Sequence, residues 1–270
     1  MPRGVSLLDQ ALQERRLWTP ANAWEGLRAW YDWSDLSTGS FDSSGFTGLA
    51  DKARRVSLSP SVVRPEVSHR GIRGKRAANM FQTSFMWGSL FVNISLPLVA
   101  TILIRPRPAT AQFGRFFGFV AEGQGADFNN TGSIAFALRI NGGNNIGSFY
   151  NNAEAGQTAY TYDSSPTIFS VTISGAGNLQ QWLNGRAGTS TSIAGSTFGN
   201  GYVTFGCSGA GNQGSNEFAD SWFGEAVLYC ADDFLLRREQ IEGSMAWRFN
   251  CQDILDASHR YRNTPPLIGT

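Results

Sequence analysis

The chain predicts an all-β fold: two antiparallel sheets packed face to face, with a short N-terminal helix and one C-terminal helix. Three observations carry this. Turn-forming residues recur between apolar runs from Gly114 to Tyr229 with no helical pattern among them, as in a sandwich and unlike a parallel α/β sheet. Apolar and polar residues alternate in Ser133–Ile140 and Thr167–Ser174, the period of a half-buried antiparallel strand. Charged residues make up only 16% of the 270 residues, while Gly numbers 31 and Phe 19, which suits tight turns and a weakly charged surface.

Taken in order, the first eighteen residues lack the apolar core and cleavage site of a signal peptide. Val5, Leu8 and Leu12 share one face of a short helix that Ser6 can cap. So short a helix needs a support, either its own domain or a neighbouring protein. We therefore divide the chain into an anchoring arm, 1–19, and one domain, 20–270. Between Lys52 and Arg76, eight basic residues face the lone acid Glu66. Arg54, Arg55, Arg73, Lys75 and Arg76 either dock on an acidic partner or form a solvated loop. The uncharged run Phe85–Ile104 has the length of a membrane span, but Pro97, several polar residues and the β-branched VATILI favour a buried strand.

Gly114–Val120 reads as a strand. In Ser133–Ile140, Ile134, Phe136, Leu138 and Ile140 face one way; in Thr167–Ser174, Phe169, Val171 and Ile173 point inward. Ser174–Asn178 turns the chain into Leu179–Gly185, and two further strands follow at Gly201–Cys207 and Ser221–Tyr229. A helix begins after Asp232-Asp233, either of which can cap it. Ile241, Met245 and Phe249 form its apolar stripe, and Gly243 allows a close approach of its backbone to a support.

Several motifs resemble one family. FGEAVLY (Phe223–Tyr229), RREQIEGSMAWRF (Arg237–Phe249) and ASHRYRNTPP (Ala257–Pro266) are similar to the C-terminal signature of concanavalin A-like (laminin-G-like) jelly-roll domains common in phage virion and bacterial surface proteins. GLRAWYDWSDLST (Gly26–Thr38) resembles the family's opening strand. WLNGRAGTST resembles its hairpin, with Asn184-Gly185 supplying the positive φ of the turn. The chain departs from the pattern at Ser244 and Cys251. The resemblance implies a jelly-roll sandwich and a scaffold, and it names no chemistry.

The search for chemistry points the same way. A net charge of +1 argues against a general binder of nucleic acid or anionic membrane. Cys207, Cys230 and Cys251, with only His69 and His259, suit neither a disulfide framework nor a zinc site, and they fit a reducing compartment. Glycosidases of related folds carry an E-x-D-x-E strand, which is absent here; Glu217, Asp220 and Glu225 come nearest. Neither histidine has a nucleophile elbow nearby. Asp127, Asn129 and Asn130 are oxygen ligands without a diagnostic calcium spacing. We expect no catalytic residue, metal or cofactor. Carbohydrate binding is the best positive reading: Tyr150, Asn151, Asn152, Tyr160, Tyr162 and Asp163 offer aromatic and planar polar groups in one loop region, to which Trp182 and Arg139 can add. The alternative is that the tyrosines pack beneath that loop.

The expectation is a non-enzymatic virion protein, assembled in the host cytoplasm: a capsid decoration, head fibre or tail appendage. It would be a homo-oligomer contacting capsid or tail subunits and, through its loops, host-surface glycan. A stand-alone lectin-like module and a carbohydrate-active enzyme are the alternatives.

Overall fold

The computed structural model describes residues 17–81, 84–107, 115–121, 135–141, 145–150, 153–159, 164–193, 199–207 and 218–268. The stripe Val5, Leu8 and Leu12 lies outside them. In chain order the strands are β1 (Leu27–Asp32), β2 (Gly39–Asp42), β3 (Gly45–Leu49), β4 (Ser59–Pro60), β5 (Glu66–Ile72) and β6 (Lys75–Met80). Then come β7 (Met86–Ile94), β8 (Leu98–Pro106), β9 (Arg115–Ala121), β10 (Ala135–Asn141), β11 (Asn145–Tyr150) and β12 (Ala153–Ala159). The last are β13 (Thr167–Ile173), β14 (Asn178–Leu183), β15 (Arg186–Ser192), β16 (Gly199–Phe205) and β17 (Ser221–Tyr229), followed by the helix α1 (Phe234–Arg248).

Among the described residues two large antiparallel sheets result, as expected for a sandwich, beside the small two-stranded sheet β2-β3. The first runs β15-β14-β13-β8-β17-β6-β5, with β1 also paired to β17; the second runs β12-β11-β10-β9-β16-β7-β4. Strand β17 is the hub: β8 covers one edge, while β6 and β1 share the other. Between the sheets lie Trp33, Phe46, Phe116, Phe119, Phe169, Phe205 and Phe223, each almost wholly buried. Burying a side chain of that size stabilises by about 1.5–3 kcal/mol.

Three expectations need correction. Strand β13 is not half-buried: all seven residues are buried. Phe169, Val171 and Ile173 face the other sheet as predicted, but Ile168 joins a second core with Ile241 and Met245 of α1 and with Phe249 just after it. Alternation in the sequence marks polarity, and the helix roof buries Ser170 and Thr172 as well. Secondly, the first half of Phe85–Ile104 is a strand of its own, β7 in the second sheet, while the second half is the buried strand expected, β8 in the first; no described helix is long and apolar enough to cross a membrane. Thirdly, Asp233 occupies the N-cap position of α1 without capping through its side chain. That carboxylate is engaged elsewhere, accepting from the Tyr229 hydroxyl at 2.6 Å and from Arg237 at 2.6 Å.

The basic segment is largely built into structure. Arg73 and Gly74 form the tight turn between β5 and β6, both with positive φ, and Arg73 pairs with Asp253 at 2.7 Å. Leu17 bridges Leu267 and the Trp18 amide donates to the Pro266 carbonyl, so the chain enters alongside its own tail.

Candidate functional site

The outer faces of the two sheets differ. Helix α1 lies across the first, and two buried charge clusters fasten it there. Glu225 of β17 is fully buried; it accepts a hydrogen bond from the Trp30 indole at 2.6 Å and another from Arg248 of α1. Burial pushes the Glu225 carboxyl above its usual range, and Arg248 opposes that shift. Beside it, Asp32 accepts from Lys52 at 2.9 Å. In the second cluster, Glu242 of α1 accepts from Ser170 at 2.7 Å and Arg238 at 2.5 Å, with His259 Nε2 at 3.1 Å. His259 Nδ1 accepts the Tyr261 amide, which leaves the ring proton on Nε2 to be donated to Glu242.

Both signature acids and the tail histidine are thus committed to these two clusters, which join the helix to strand and tail. Two glycines make room for them. A Cβ on Gly243 would lie 2.6 Å from the Tyr261 Cβ, so the support that α1 approaches is the tail. A Cβ on Gly185, whose φ of +83° already favours glycine, would meet the His259 ring. Aromatic side chains on this face carry cations. Arg238 stacks on Trp182 at 3.7 Å, Arg105 and Arg107 flank Trp222 at 4.8 and 4.5 Å, and Lys52 sits 4.6 Å from Trp30.

The outer face of the second sheet carries a different arrangement. Register places Trp87, Thr204 and Gly118 in one row and Ser89 and Tyr202 in the next, on the side opposite Val203 and Phe205 of the core. The Trp87 and Tyr202 rings lie 6.2 Å apart at 56°, half-buried, and among the described residues no cation stacks on either. Arg115, fully buried, runs its side chain beside Gly118. The result is a paired aromatic ledge with half-buried Ser89 and Tyr202 beside it, while Thr204 is buried and donates to the Cys207 carbonyl at 3.3 Å.

The sequence-predicted sugar residues are only partly placed. Tyr150 ends β11, with its backbone level with Phe136 and, one strand on, Phe119. Asn151, Asn152, Tyr160, Tyr162 and Asp163 lie outside the described residues, as do Glu217, Asp127, Asn129 and Asn130. Strand β12 itself lies at the edge of the second sheet far from β7, which carries Trp87. Trp182 lies against Arg238 of α1, its indole donating to Thr172 at 3.0 Å. Of the docking candidates, Arg54, Arg55 and Lys75 are exposed and Arg76 is half-buried.

Sequence reasoning missed Trp87 and Tyr202. Trp87 was absorbed into an uncharged run, although YVTF (Tyr202–Phe205) puts an aromatic on the polar phase of a strand, a readable signal. One open cleft of about 650 Å³ is lined by Ala21–Gly26, Tyr229–Asp233 and Arg237. Among the described residues no three His, Cys, Asp or Glu side chains converge to hold a metal ion, and the three cysteines are free and buried.

No family model and no curated protein sequence matches this chain. Solved structures do match its shape. A Trypanosoma rangeli sialidase in complex with sialic acid aligns with a TM-score of 0.54 at 13% identity, over 86% of this chain and 34% of its own. The receptor-binding domain of botulinum neurotoxin type G gives 0.51 at 12%, over 84% and 51%. Domain 4 of AbnA, an extracellular GH43 arabinanase of Geobacillus stearothermophilus in complex with arabinotriose, gives 0.50 at 13%, over 76% and 93%. The chain therefore spans about a third of the sialidase and half of the toxin domain. At such identities the likeness establishes the fold alone: an all-β sandwich of two antiparallel sheets with one helix, open at its edges and not closed into a barrel.

Proposed function

We propose that the protein is a non-catalytic, glycan-binding module of the lectin-like kind, holding its ligand on the outer face of the second sheet across Trp87 and Tyr202. The observation that carries this reading is the aromatic pair on which no cation stacks among the described residues. Sugar rings present a flat C–H face that stacks on an indole or phenol, and neighbouring hydroxyls fix its orientation. The Trp87–Tyr202 ledge offers the stacking surface, and Ser89 and the Tyr202 hydroxyl the polar partners. Two of the similar structures, the sialidase and the arabinanase domain, are described with sugars bound, which supports this reading without assigning the ligand. Glu225, Glu242 and His259, the acid–base groups of the two clusters, are each held by structural partners, which favours binding over hydrolysis.

The finer reading rests on the sequence resemblance: a laminin-G-like jelly roll serving as an adhesion component of a phage virion, with the arm 1–19 and the basic residues Arg54, Arg55, Arg73, Lys75 and Arg76 facing capsid or tail subunits. A glycan array followed by titration of the best oligosaccharide tests the module. We expect binding that Trp87→Ala and Tyr202→Ala each weaken about tenfold, worth about 1.4 kcal/mol. Absence of any glycan hit, or affinity indifferent to both substitutions, overturns the site. Release of reducing ends from the bound oligosaccharide would overturn the non-catalytic part, and failure of the tagged protein to decorate any particle would remove the virion setting.

A further inference from the structure

The cleft between the segment Ala21–Gly26 and the end of β17 takes no part in the ledge, and its lining has a chemistry of its own. Its two walls are tied together, so the fold itself holds the space open. The Cys230 amide donates to the Gly26 carbonyl at 2.8 Å, and a Cβ on Gly26 would lie 2.3 Å from the Tyr229 ring. The volume of about 650 Å³ falls within the range of about 300–1,000 Å³ usual for small-molecule sites. Some polar groups of the lining are already committed. Asp233 accepts from the Tyr229 hydroxyl and from Arg237, and Arg237 also donates to Gln240 at 2.7 Å. Others are available. Asn22 uses its Oδ1 to accept the Thr19 amide at 2.8 Å, which leaves its NH2 as a donor. Glu25 and Asp232 are exposed, and among the described residues neither carboxylate has a hydrogen-bond or ion-pair partner. Trp24 is 47% exposed, and among the described residues no ring or cation packs on it.

The other indoles of the chain show what such a ring takes here. Trp30, Trp182 and Trp222 each lie against a lysine or arginine of the protein itself, at 3.7–4.8 Å. Trp24 offers the same face and shares one cavity with two unpaired carboxylates, yet no cation of the chain fills it. We propose that this cleft is a second ligand site, separate from the Trp87–Tyr202 ledge, and that it binds an amino sugar whose ring stacks on Trp24 and whose ammonium pairs with Glu25 and Asp232. An ammonium near an indole face gains a cation–π attraction, and its N–H groups donate charge-assisted hydrogen bonds to carboxylates. A quaternary ammonium has no such donors. The sugar body suits the rest of the lining, since hydroxyls can bond both to the carboxylates and to the Asn22 NH2. Acidic sugars are disfavoured: Asp233 and Arg237 neutralise each other, which leaves the lining with the two negative charges of Glu25 and Asp232.

The test uses the full chain made with 5-fluorotryptophan, with the Trp24 fluorine signal assigned through Trp24→Phe. Titration with D-glucosamine at neutral pH should shift that signal saturably, and with the same affinity in a Trp87→Ala background. D-glucose and N-acetyl-D-glucosamine, which lack the charge, should bind about tenfold more weakly. The exposed pair Glu25→Gln and Asp232→Asn should weaken D-glucosamine by about the same factor, while unchanged signals from the other tryptophans report that this variant folds. A Trp24 signal that does not move, or that responds to D-glucose as strongly as to D-glucosamine, overturns the proposal. So does an affinity indifferent to the two amide substitutions. Binding of n-butylammonium as tight as that of D-glucosamine overturns the sugar assignment, because the ring then contributes nothing. Loss of the Trp24 response in Trp87→Ala overturns the separateness of the two sites, whereas a ledge that binds no glycan leaves the Trp24 titration as expected.

Discussion

The two outer faces of this sandwich are built from the same kind of strand yet do opposite things with their polar and aromatic residues. On the first sheet, Trp30, Trp182 and Trp222 are each covered by a cation, and Glu225 and Glu242 are sealed beneath α1 with arginine partners. On the second, Trp87 and Tyr202 are half-buried, and among the described residues no cation stacks on either. Groups enclosed by a helix lose hydration and must find every partner inside the protein, so they serve cohesion. Groups left at the surface keep contacts to offer a ligand. The lesson is that the acidic residues, which look like chemistry in the sequence, are fasteners here, while a plain aromatic pair is the better site.

The contrast can be broken most forcefully at Glu242. Glu242→Ala strands the buried Arg238 and should cost about 3–5 kcal/mol in urea unfolding. A loss below about 1 kcal/mol would mean that the helix is not held by this cluster. Next in size is Gly243→Ala, whose Cβ collides with Tyr261; overpacking of this kind should destabilise by about 1–3 kcal/mol and lower the melting temperature accordingly. Trp87→Ala probes the other face. It should weaken glycan binding about tenfold, near 1.4 kcal/mol, yet change stability by less than about 1 kcal/mol. Equal losses of binding and stability would erase the distinction between the faces.

The smallest effect concerns acid. Burial raises the Asp35 carboxyl, but Lys52 and Ser37 outweigh this and hold it at about 2, below its ordinary 3.8. An acid with a depressed folded pKa contributes stability above its unfolded value, and that contribution is lost as pH falls from about 4 towards 2. Because Asp35 is solvent-screened, less than about 1 kcal/mol should disappear in that window, and Asp35→Asn should remove the pH dependence. A loss that begins instead above pH 5 would point away from Asp35 as its source.

Much of the scaffold was legible in advance. SWFGEAVLY became β17, the turn at Asn184-Gly185 has the two positive φ angles expected, and Ile241, Met245 and Phe249 face inward from α1. Gly243 makes the close approach foreseen, although towards the tail. What could not be read was which polar residues would be enclosed. Ser170 and Thr172 occupy the solvent phase of an alternating strand, and only the helix passing over them turns that phase into a second core. The binding candidate escaped notice for the converse reason. Trp87 looked like core within an uncharged run, and only its register beside Tyr202 showed that it points outward.

By itself the sequence determined the period-two strands, the positive-φ turns and the amphipathic stripe of α1, because these depend on neighbours within a few residues along the chain. Tertiary structure alone decided that Glu225 would meet Trp30 and Arg248, that Glu242 would meet Ser170, Arg238 and His259, and that Trp87 and Tyr202 would share a ledge. Those meetings join residues far apart in the chain, and their free energy depends on whether water is excluded, which only the assembled layers decide.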